Sequence, residues 1–392
     1  MYPLLTLKPD REKSILNYHP WIFTGAVKHM AEAQHGDIIA VQTHQKKLLG
    51  YGFYDAQSQI ICRLFEINPK PALPTPEYWF QKLQEAYLLR QKWVCSPTTT
   101  CYRLLHAEGD FFSGVIIDVY GKVAVMQLLI KGTERIAQDI MEALKKLGFE
   151  YIYLKNKEIT QRLEGVEQSN GWLTTPYSTP LYVQENGLQF EIDVEKGQKT
   201  GFFIDQRDNR ALLRSYSAGK KVLNTFSYTG GFSVYALAGE ASEVVSVDIS
   251  KEAIALCEKT VALNFGENAP HTAIAEDCFD FLKKTTPEEF DIIVLDPPAF
   301  AKNKKAVANA SRGYMSLNEL GFRRVKKGGL VFTFSCSGNI DRDLFRKIVF
   351  TAAAESGRQV RILHQLTQPS DHPINIYHPE GEYLKGLVLQ VD

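Results

Sequence analysis

Val222-Leu-Asn-Thr-Phe-Ser-Tyr-Thr-Gly-Gly-Phe-Ser-Val-Tyr-Ala-Leu-Ala-Gly239, followed by Val244-Val-Ser-Val-Asp-Ile-Ser250, is the stretch on which the fold turns. A short apolar run, Val222 to Phe226, gives way to a turn of Ser, Thr and Gly and then to a helical run, Phe232 to Ala238. That succession predicts the strand, turn and helix of a doubly wound sheet. Gly230 and Gly231 lack a β-carbon, so the chain can bend there and present amide donors at the start of the helix. A second β-rich run ends at Asp248, about 20 residues on, where a carboxylate at a strand end can accept hydrogen bonds from a ribose diol. The pair reads as a nucleoside-cofactor site. The glycine spacing is not Gly-x-Gly-x-x-Gly, which disfavours a nicotinamide dinucleotide.

Outward from this unit, the alternation is regular from Gln189 to the end. Strands are expected at 221–226, 243–247, 271–275, 291–295 and 329–334, with helices at 231–238, 251–264, about 307–325 and 341–356. Val360 to Gln365 and Leu384 to Val391 read as two further strands, joined by the polar loop Pro369-Ser-Asp-His-Pro373. A sheet of right-handed crossovers with a terminal hairpin is a familiar arrangement for methyl transfer from S-adenosylmethionine. The fold class expected is α/β, a Rossmann-like methyltransferase domain at the C-terminus.

Upstream, residues 1–70 read as a small β-rich module, with β-type runs in His35 to Tyr54 and Gln59 to Phe65. Trp21 and Phe23 in this module read as core residues in preference to RNA-stacking ones. Asn68-Pro-Lys-Pro-Ala-Leu-Pro-Thr-Pro76 carries four prolines in nine residues and marks a boundary. Residues 71–188 then give helices at Glu77 to Trp93 and about Glu134 to Leu147 among several strands, a central α+β domain. The domains expected are therefore 1–70, 71–188 and 189–392.

Composition narrows the class of molecule. In 392 residues, 45 Lys and Arg balance 45 Asp and Glu, so any basic surface must be local. One local excess stands out: Lys302, Lys304, Lys305, Arg312, Arg323, Arg324, Lys326 and Lys327 face a single acid, Glu319. Such a run can hold phosphates, or it can be a solvated helix face. No run approaches the ~18 apolar residues of a membrane helix, and a cytoplasmic enzyme is the expectation. Six scattered cysteines show neither Cys-x-x-Cys pairs nor His partners at metal spacing, so no metal site is expected.

Three further strand ends line up with the Gly-rich turn. Ala275-Glu-Asp-Cys278 places Asp277 where a carboxylate can accept from an adenine amino group, or can simply cap the next helix. The fourth strand ends in Asp296-Pro-Pro-Ala-Phe300 and the fifth in Phe334-Ser-Cys-Ser-Gly338. If those two strands are neighbours, Cys336 lies beside Asp296. Carbon-5 of cytosine is too poor a nucleophile to attack a methyl sulfonium unaided. A thiolate adding at carbon-6 pushes electron density to carbon-5, and a carboxyl group at the ring's N3 edge stabilises the intermediate. Cys336 is the candidate nucleophile and Asp296 its partner. A base treated this way must leave its stack.

With these residues in view, the chain resembles the ribosomal RNA large subunit methyltransferase I family over its whole length. The resemblance rests on Arg11-Glu-Lys-Ser14 with His19-Pro-Trp-Ile-Phe23 and on Gly197-Gln-Lys-Thr-Gly-Phe-Phe-Ile-Asp-Gln-Arg207. Asn224 to Gly231, Asp296-Pro-Pro298, Ser335-Cys-Ser337 and Tyr383-Leu-Lys-Gly386 complete it. It implies an N-terminal RNA-binding PUA domain, S-adenosylmethionine as cofactor, 5-methylcytosine in 23S rRNA as product, and a homodimer. It also implies that Gly197 to Gln206 closes over the cofactor, with Gln198, Phe203 and Gln206 touching it. The rest of the implied cofactor site is Asn224, Phe226, Ser227, Tyr228, Thr229 and Gly230 from the turn, and Asp248, Ile249 and Ser250 after the second strand. Asp277, Cys278, Asp296 and Pro297 complete it. Two rivals remain: an amino-group methyltransferase using Asp296-Pro-Pro-x-Phe300, for example on guanine, and a non-catalytic RNA-binding assembly protein.

Overall fold

The computed structural model describes residues 2–69, 74–158, 161, 164–178, 180–301 and 303–392. Part of the Pro-rich stretch (residues 70–73) and Lys302 lie outside the described residues. The chain divides into two compact units, one of Met1–Val183, Ile192–Phe202 and Ser370–Gly381, the other of Gln184–Glu191, Phe203–Pro369 and Glu382–Asp392.

The second unit carries the doubly wound sheet. Its strands run in the spatial order His271–Ala275, Glu243–Asp248, Lys221–Thr225, Phe290–Leu295, Val325–Ser335, Lys385–Val391, Val360–Leu366. The first five are mutually parallel, and Lys385–Val391 enters antiparallel between its two neighbours. Parallel strands covered on both faces read as continuous apolar runs. Ile292 to Leu295 and Val222 to Leu223 are such runs, and all are buried. Val245, Val247, Ile293, Leu295, Tyr314, Phe322, Val331 and Phe345 belong to one core beneath the helices.

Helix ends follow local chemistry. Ser250 accepts from the Ala253 amide to start Lys251–Phe265, which stops at Gly266 with φ +79°. Asp341 accepts from Leu344 to start Arg342–Ser356, closed by Gly357 in the left-handed region. Each such N-cap is worth about 1 kcal/mol. These elements fall within a few residues of the expected bounds. Two helices were not anticipated, Arg207–Tyr216 and Cys278–Lys284.

The first unit holds two sheets. Among the described residues, six strands form the N-terminal one, in the order Trp21–Phe23, Ile60–Ile67, Leu48–Tyr54, Ile38–Gln42, Leu4–Leu7, Val27–Met30. Leu5, Leu7, Ile22, Ile39, Val41, Leu49 and Leu64 form its core. Phe23 corrects the expectation of a core residue: it is 46% exposed. Trp21 is half-buried, with its indole N–H donating to Glu108 Oε1 at 3.1 Å and its ring 4.3 Å from that of His378.

The second sheet of this unit, Gly171–Trp172, Tyr151–Leu154, Val123–Leu128, Val115–Tyr120, Cys101–His106, lies with the helices Pro76–Trp93 and Ala137–Lys146. Segment Ser370–Gly381, expected as a simple loop between two strands, belongs to this unit. There the buried Asp371 carboxylate accepts from the Arg103 amide at 3.0 Å, and the Asp371 carbonyl accepts from Arg90 at 2.8 Å.

Candidate functional site

The strand order reverses between Lys221–Thr225 and Phe290–Leu295, and a crevice opens outside the carboxyl ends of strands at such a switch point. Register aligns those ends: Thr225 pairs with Val247 and with Leu295, Asp248 with Ala275, and Leu295 with Thr333. Phe226, Asp248, Asp277, Asp296 and Cys336 therefore follow five neighbouring strands at one sheet edge. The fourth and fifth strands are neighbours, which is the condition for Cys336 and Asp296 to share that edge.

The turn between Thr225 and Gly231 is conformationally costly. Phe226 and Tyr228, both with side chains, sit at φ +54° and +46°, and Gly230 at +81°. Left-handed backbone costs a non-glycine residue about 1–2 kcal/mol, so its concentration in one turn points to a functional constraint. Polar contacts hold the turn in place. The Tyr228 amide donates to Asp248 Oδ2 at 2.9 Å and the Ser250 amide to Oδ1 at 2.9 Å, so one carboxylate ties the turn to the next loop. The Phe226 amide donates to Cys278 Sγ at 3.1 Å, and Ser227 N–H to the Val247 carbonyl. Burial pushes the Cys278 thiol up to about 12, which keeps it a neutral structural group.

Gly230 has a second requirement besides its φ. A β-carbon there would stand 2.5 Å from the buried Cys257 Sγ. Gly230→Ala is expected to weaken cofactor binding at least about tenfold, combining backbone strain with displacement of the turn. Calorimetric titration checks this.

Two buried polar atoms at this edge have no protein partner among the described residues: Asn224 Oδ1 and Ser227 Oγ. Asn224 is oriented by a chain of contacts. Its Nδ2 donates to Ser233 Oγ at 2.8 Å; Ser233 Oγ and Ser246 Oγ are 2.6 Å apart; Ser246 Oγ lies 2.7 Å from His271 Nε2. Burial holds the His271 imidazole down at about 4. An unfolded chain takes up that proton below about 6.5, so it binds more protons than the folded one in between. The contribution is complete above about pH 6.5 and is lost as pH falls toward about 4. The melting temperature is expected to fall more steeply between about pH 7 and about pH 5 in the wild type than in His271→Asn.

The remaining site residues divide. Asp277 spends one carboxylate oxygen on the Phe279 and Asp280 amides, at 2.9 and 3.1 Å, and so caps the helix it precedes. Ser250 likewise caps a helix, and Ile249 is 72% exposed. Thr229 is buried. Asp296 is half-buried and Pro297 buried. Phe203 meets Tyr228 edge-on at 5.2 Å, and Gln206 Oε1 accepts from Asn209 at 2.6 Å. Gln198 falls within the first unit, on an exposed position, whereas Phe203 and Gln206 belong to the second.

Tertiary partners add residues that periodicity did not single out. The buried Arg210 donates to Glu185 through Nε and Nη2 at 3.0 and 2.7 Å, and to the Phe203 carbonyl at 2.9 Å. Tyr383 donates to Asp205 Oδ2 at 2.8 Å. Lys385, directly opposite Ser335, is buried and donates to the Ser337 and Tyr383 carbonyls, each at 2.7 Å. The only sequence signal for Lys385 was its place in Tyr383 to Gly386.

The basic run is partly consumed by the fold. Arg323 pairs with Glu319, Arg324 donates to the Leu282 and Lys283 carbonyls, and Lys326 pairs with Asp291. Lys304, Lys305, Arg312 and Lys327 are exposed. Among the described residues no group of three or more His, Cys, Asp and Glu could hold a metal, and no helix is long and apolar enough to cross a membrane.

Comparison with known proteins agrees with this fold. The family described as S-adenosylmethionine-dependent methyltransferase matches residues 156–374, and a PUA-like domain matches residues 5–66. Ribosomal RNA large subunit methyltransferase I of Alteromonas mediterranea is 39% identical over 389 residues, 98% of each chain. The protein of that name from an Escherichia coli O139:H28 strain is 39% identical over 392 residues, 99% of each. Among solved structures, one described as a methyltransferase in complex with SAH superposes with a TM-score of 0.86 at 26% identity, covering 99% of this chain and 100% of that one. A chain from Streptococcus mutans, described as SAM-dependent, gives 0.84 at 25% identity, with 99% and 100% covered.

Proposed function

The chain belongs to the ribosomal RNA large subunit methyltransferase I family of S-adenosylmethionine-dependent methyltransferases, and from that premise we propose that it forms 5-methylcytosine in 23S rRNA through a covalent adduct on Cys336. The observation that carries the chemistry is the adjacency of the strands that Asp296 and Cys336 follow, at the same sheet edge as the Gly230 turn.

The residues at that edge fit the cofactor. Asn224 Oδ1 and Ser227 Oγ, buried and unmatched by protein donors, suit the amino and carboxylate ends of its methionine part; Asn224 supplies an acceptor and Ser227 a hydroxyl of either sense. Asp248 keeps acceptor capacity on both oxygens for a ribose diol. The exposed Ile249 and the second oxygen of Asp277 lie next along the edge, where an adenine can be covered and its amino group bound. Phe203, Gln206, Phe226, Tyr228, Thr229, Ser250, Cys278 and Pro297 complete the proposed site. Bound S-adenosylmethionine supplies an electrophilic methyl group.

Cys336 supplies the activation. Its thiolate forms a bond to carbon-6 of an extruded cytosine while the Asp296 carboxyl group hydrogen-bonds the N3 edge, so carbon-5 becomes electron-rich. Once carbon-5 has taken up the methyl group, its proton passes to water, and the C–H electrons re-form the C5–C6 double bond as the C6–S bond breaks and the thiolate returns. Cys336 is half-buried, unlike the buried Cys257 and Cys278, and is the cysteine at this edge that a base can reach.

The PUA-like domain supports an RNA substrate, held with the exposed Lys304, Lys305, Arg312 and Lys327 as phosphate contacts. The proposal keeps three parts, 1–70 for RNA binding, 71–188 between, and 189–392 for catalysis, in a cytoplasmic homodimer whose stoichiometry sedimentation would read. The reaction is tested by incubating the protein with radiolabelled S-adenosylmethionine and unmodified large-subunit rRNA, digesting the RNA and identifying the labelled nucleoside. Label in 5-methylcytidine is expected. Label in a methylated guanosine would hand the reaction to Asp296 and Phe300 without Cys336.

A further inference from the structure

The segment after the fifth strand of the sheet, Cys336 to Gly338, is held at Ser337 by one buried lysine. Lys385 begins the antiparallel strand Lys385–Val391, and its backbone pairs with Ser335, the residue before Cys336. Its side chain reaches the same segment: Nζ donates to the carbonyl of Ser337, the residue after Cys336, and to that of Tyr383, both at 2.7 Å. Lys385 is 2% exposed. An ammonium with its stem buried and two of its three protons committed to carbonyls has little freedom, so the charge is delivered to a fixed place.

We propose that Lys385 is a positioning and activating residue for Cys336: it clamps the peptide that carries the thiol and sets a buried cation beside it, favouring thiolate at neutral pH. This rests on the reading of Cys336 as nucleophile. The thiol's proton leaves to solvent; Lys385 remains an ammonium throughout and transfers nothing.

The charges around the lysine are consistent with that role. Burial lowers its pKa to about 8, and the negative charges of Cys336, Glu382 and Asp341 oppose the fall while Arg342 adds to it. Arg342 is paired with Glu382, which leaves Cys336 a cation less shared than that count suggests. Tyr314, whose hydroxyl is 3.1 Å from Ser337 Oγ, is held neutral by burial, with the Cys336 charge adding to the effect. Below about pH 8 the lysine is charged, so its cation is present at neutral pH. A buried lysine whose charge is retained needs a partner to offset its desolvation, and a thiolate supplies one.

The test reads the thiol and not methyl transfer. Full-length protein is treated with iodoacetamide across a pH series, and alkylation of the Cys336 peptide is followed by mass spectrometry. In the wild type the midpoint is expected at least about one unit below the ~8.5 of an ordinary cysteine. Lys385→Met is expected to alkylate about tenfold more slowly at about pH 7, the equivalent of one pKa unit, while Lys385→Arg, which keeps the cation, stays close to wild type. A wild-type midpoint at or above ~8.5, or a Lys385→Met profile superimposable on the wild type, would overturn the proposal. The wild-type arm decides alone if Lys385→Met no longer binds S-adenosylmethionine. A 5-methylcytidine product with an unshifted thiol removes Lys385 and leaves Cys336 as nucleophile. A low midpoint with label in another nucleoside leaves the ion pair and removes the covalent reading.

Discussion

Cys336→Ala is expected to abolish methyl transfer to rRNA, by at least about four orders of magnitude in kcat, while S-adenosylmethionine still binds within about twofold of the wild-type affinity. The split follows from where the two functions are built. Cofactor groups proposed here come from the Gly230 turn, Asp248 and Asn224, whose hydrogen bonds run to the second and third strands of the sheet and to Ser233. None of those contacts passes through Cys336. In the proposed mechanism carbon-5 of cytosine becomes nucleophilic only through the thiolate, and Asp296 alone would orient the base without activating it. Two measurements check this together: turnover with labelled cofactor, and calorimetric affinity of the same preparation. A companion readout is RNA bearing 5-fluorocytidine, in which the proton that must leave is replaced by fluorine. Wild-type protein is expected to remain attached to such RNA through denaturing electrophoresis, and Cys336→Ala to run free. Full turnover by the alanine variant would sink the covalent mechanism.

Arg210→Ala is expected to cost about 3–5 kcal/mol of stability in the unit that carries the sheet, because it leaves a carboxylate in the interior without its cation. Glu185 is fully buried, and Arg210 engages both of its oxygens, with Nη2 at 2.7 and 2.8 Å. For a domain of this size the loss corresponds to a fall of roughly 10 °C in the melting temperature. Calorimetry resolves it as a shift of one transition if the two units unfold separately. The double variant Glu185→Gln with Arg210→Met is expected to recover much of the loss, since the penalty lies in the uncompensated charge and not in the missing pair. The effect reaches the site as well. Arg210 Nη1 donates to the Phe203 carbonyl, and a β-carbon on Gly231 would stand 3.2 Å from the arginine side chain. Arginine therefore packs beneath the first helical residue of the turn and supports Phe203, which meets Tyr228 edge-on. Weaker cofactor binding is expected alongside the lower melting temperature. An unchanged transition would show that the pair is solvated or replaced on unfolding.

These two variants differ in how visible they were in the chain. Cys336 and Asp296 are each the residue after an apolar run, so their place at a strand end could be read locally. What brings them to one edge is the adjacency of the fourth and fifth strands. Arg210 and Glu185 lie 25 residues apart, on the helix Arg207–Tyr216 and on the strand Leu181–Glu185 that pairs with Leu188–Ile192, and neither position has a pattern that names the other. Asp277 illustrates a different limit. A carboxylate at a strand end that begins a helix serves as cap and as ligand site with the same residue type, and only its contacts to the Phe279 and Asp280 amides show the capping role.

By itself the sequence determined the local alphabet of this protein: apolar strand runs, capped helices, and a turn whose glycine tolerates the left-handed conformation that Phe226 and Tyr228 adopt at a cost. Periodicity and turn chemistry act over a few residues, so they survive in one dimension. The tertiary structure alone decided which strand ends meet and in what order. It also tied Lys385 to the Ser337 carbonyl beside Cys336, buried Glu185 against Arg210, and assigned Ser370–Gly381 to the first unit. It divided the basic run between exposed residues and residues spent on Glu319, Asp291 and backbone carbonyls. The reason is that a buried charge or a cross-strand neighbour is selected by desolvation and sheet register, which depend on residues tens to hundreds of positions away.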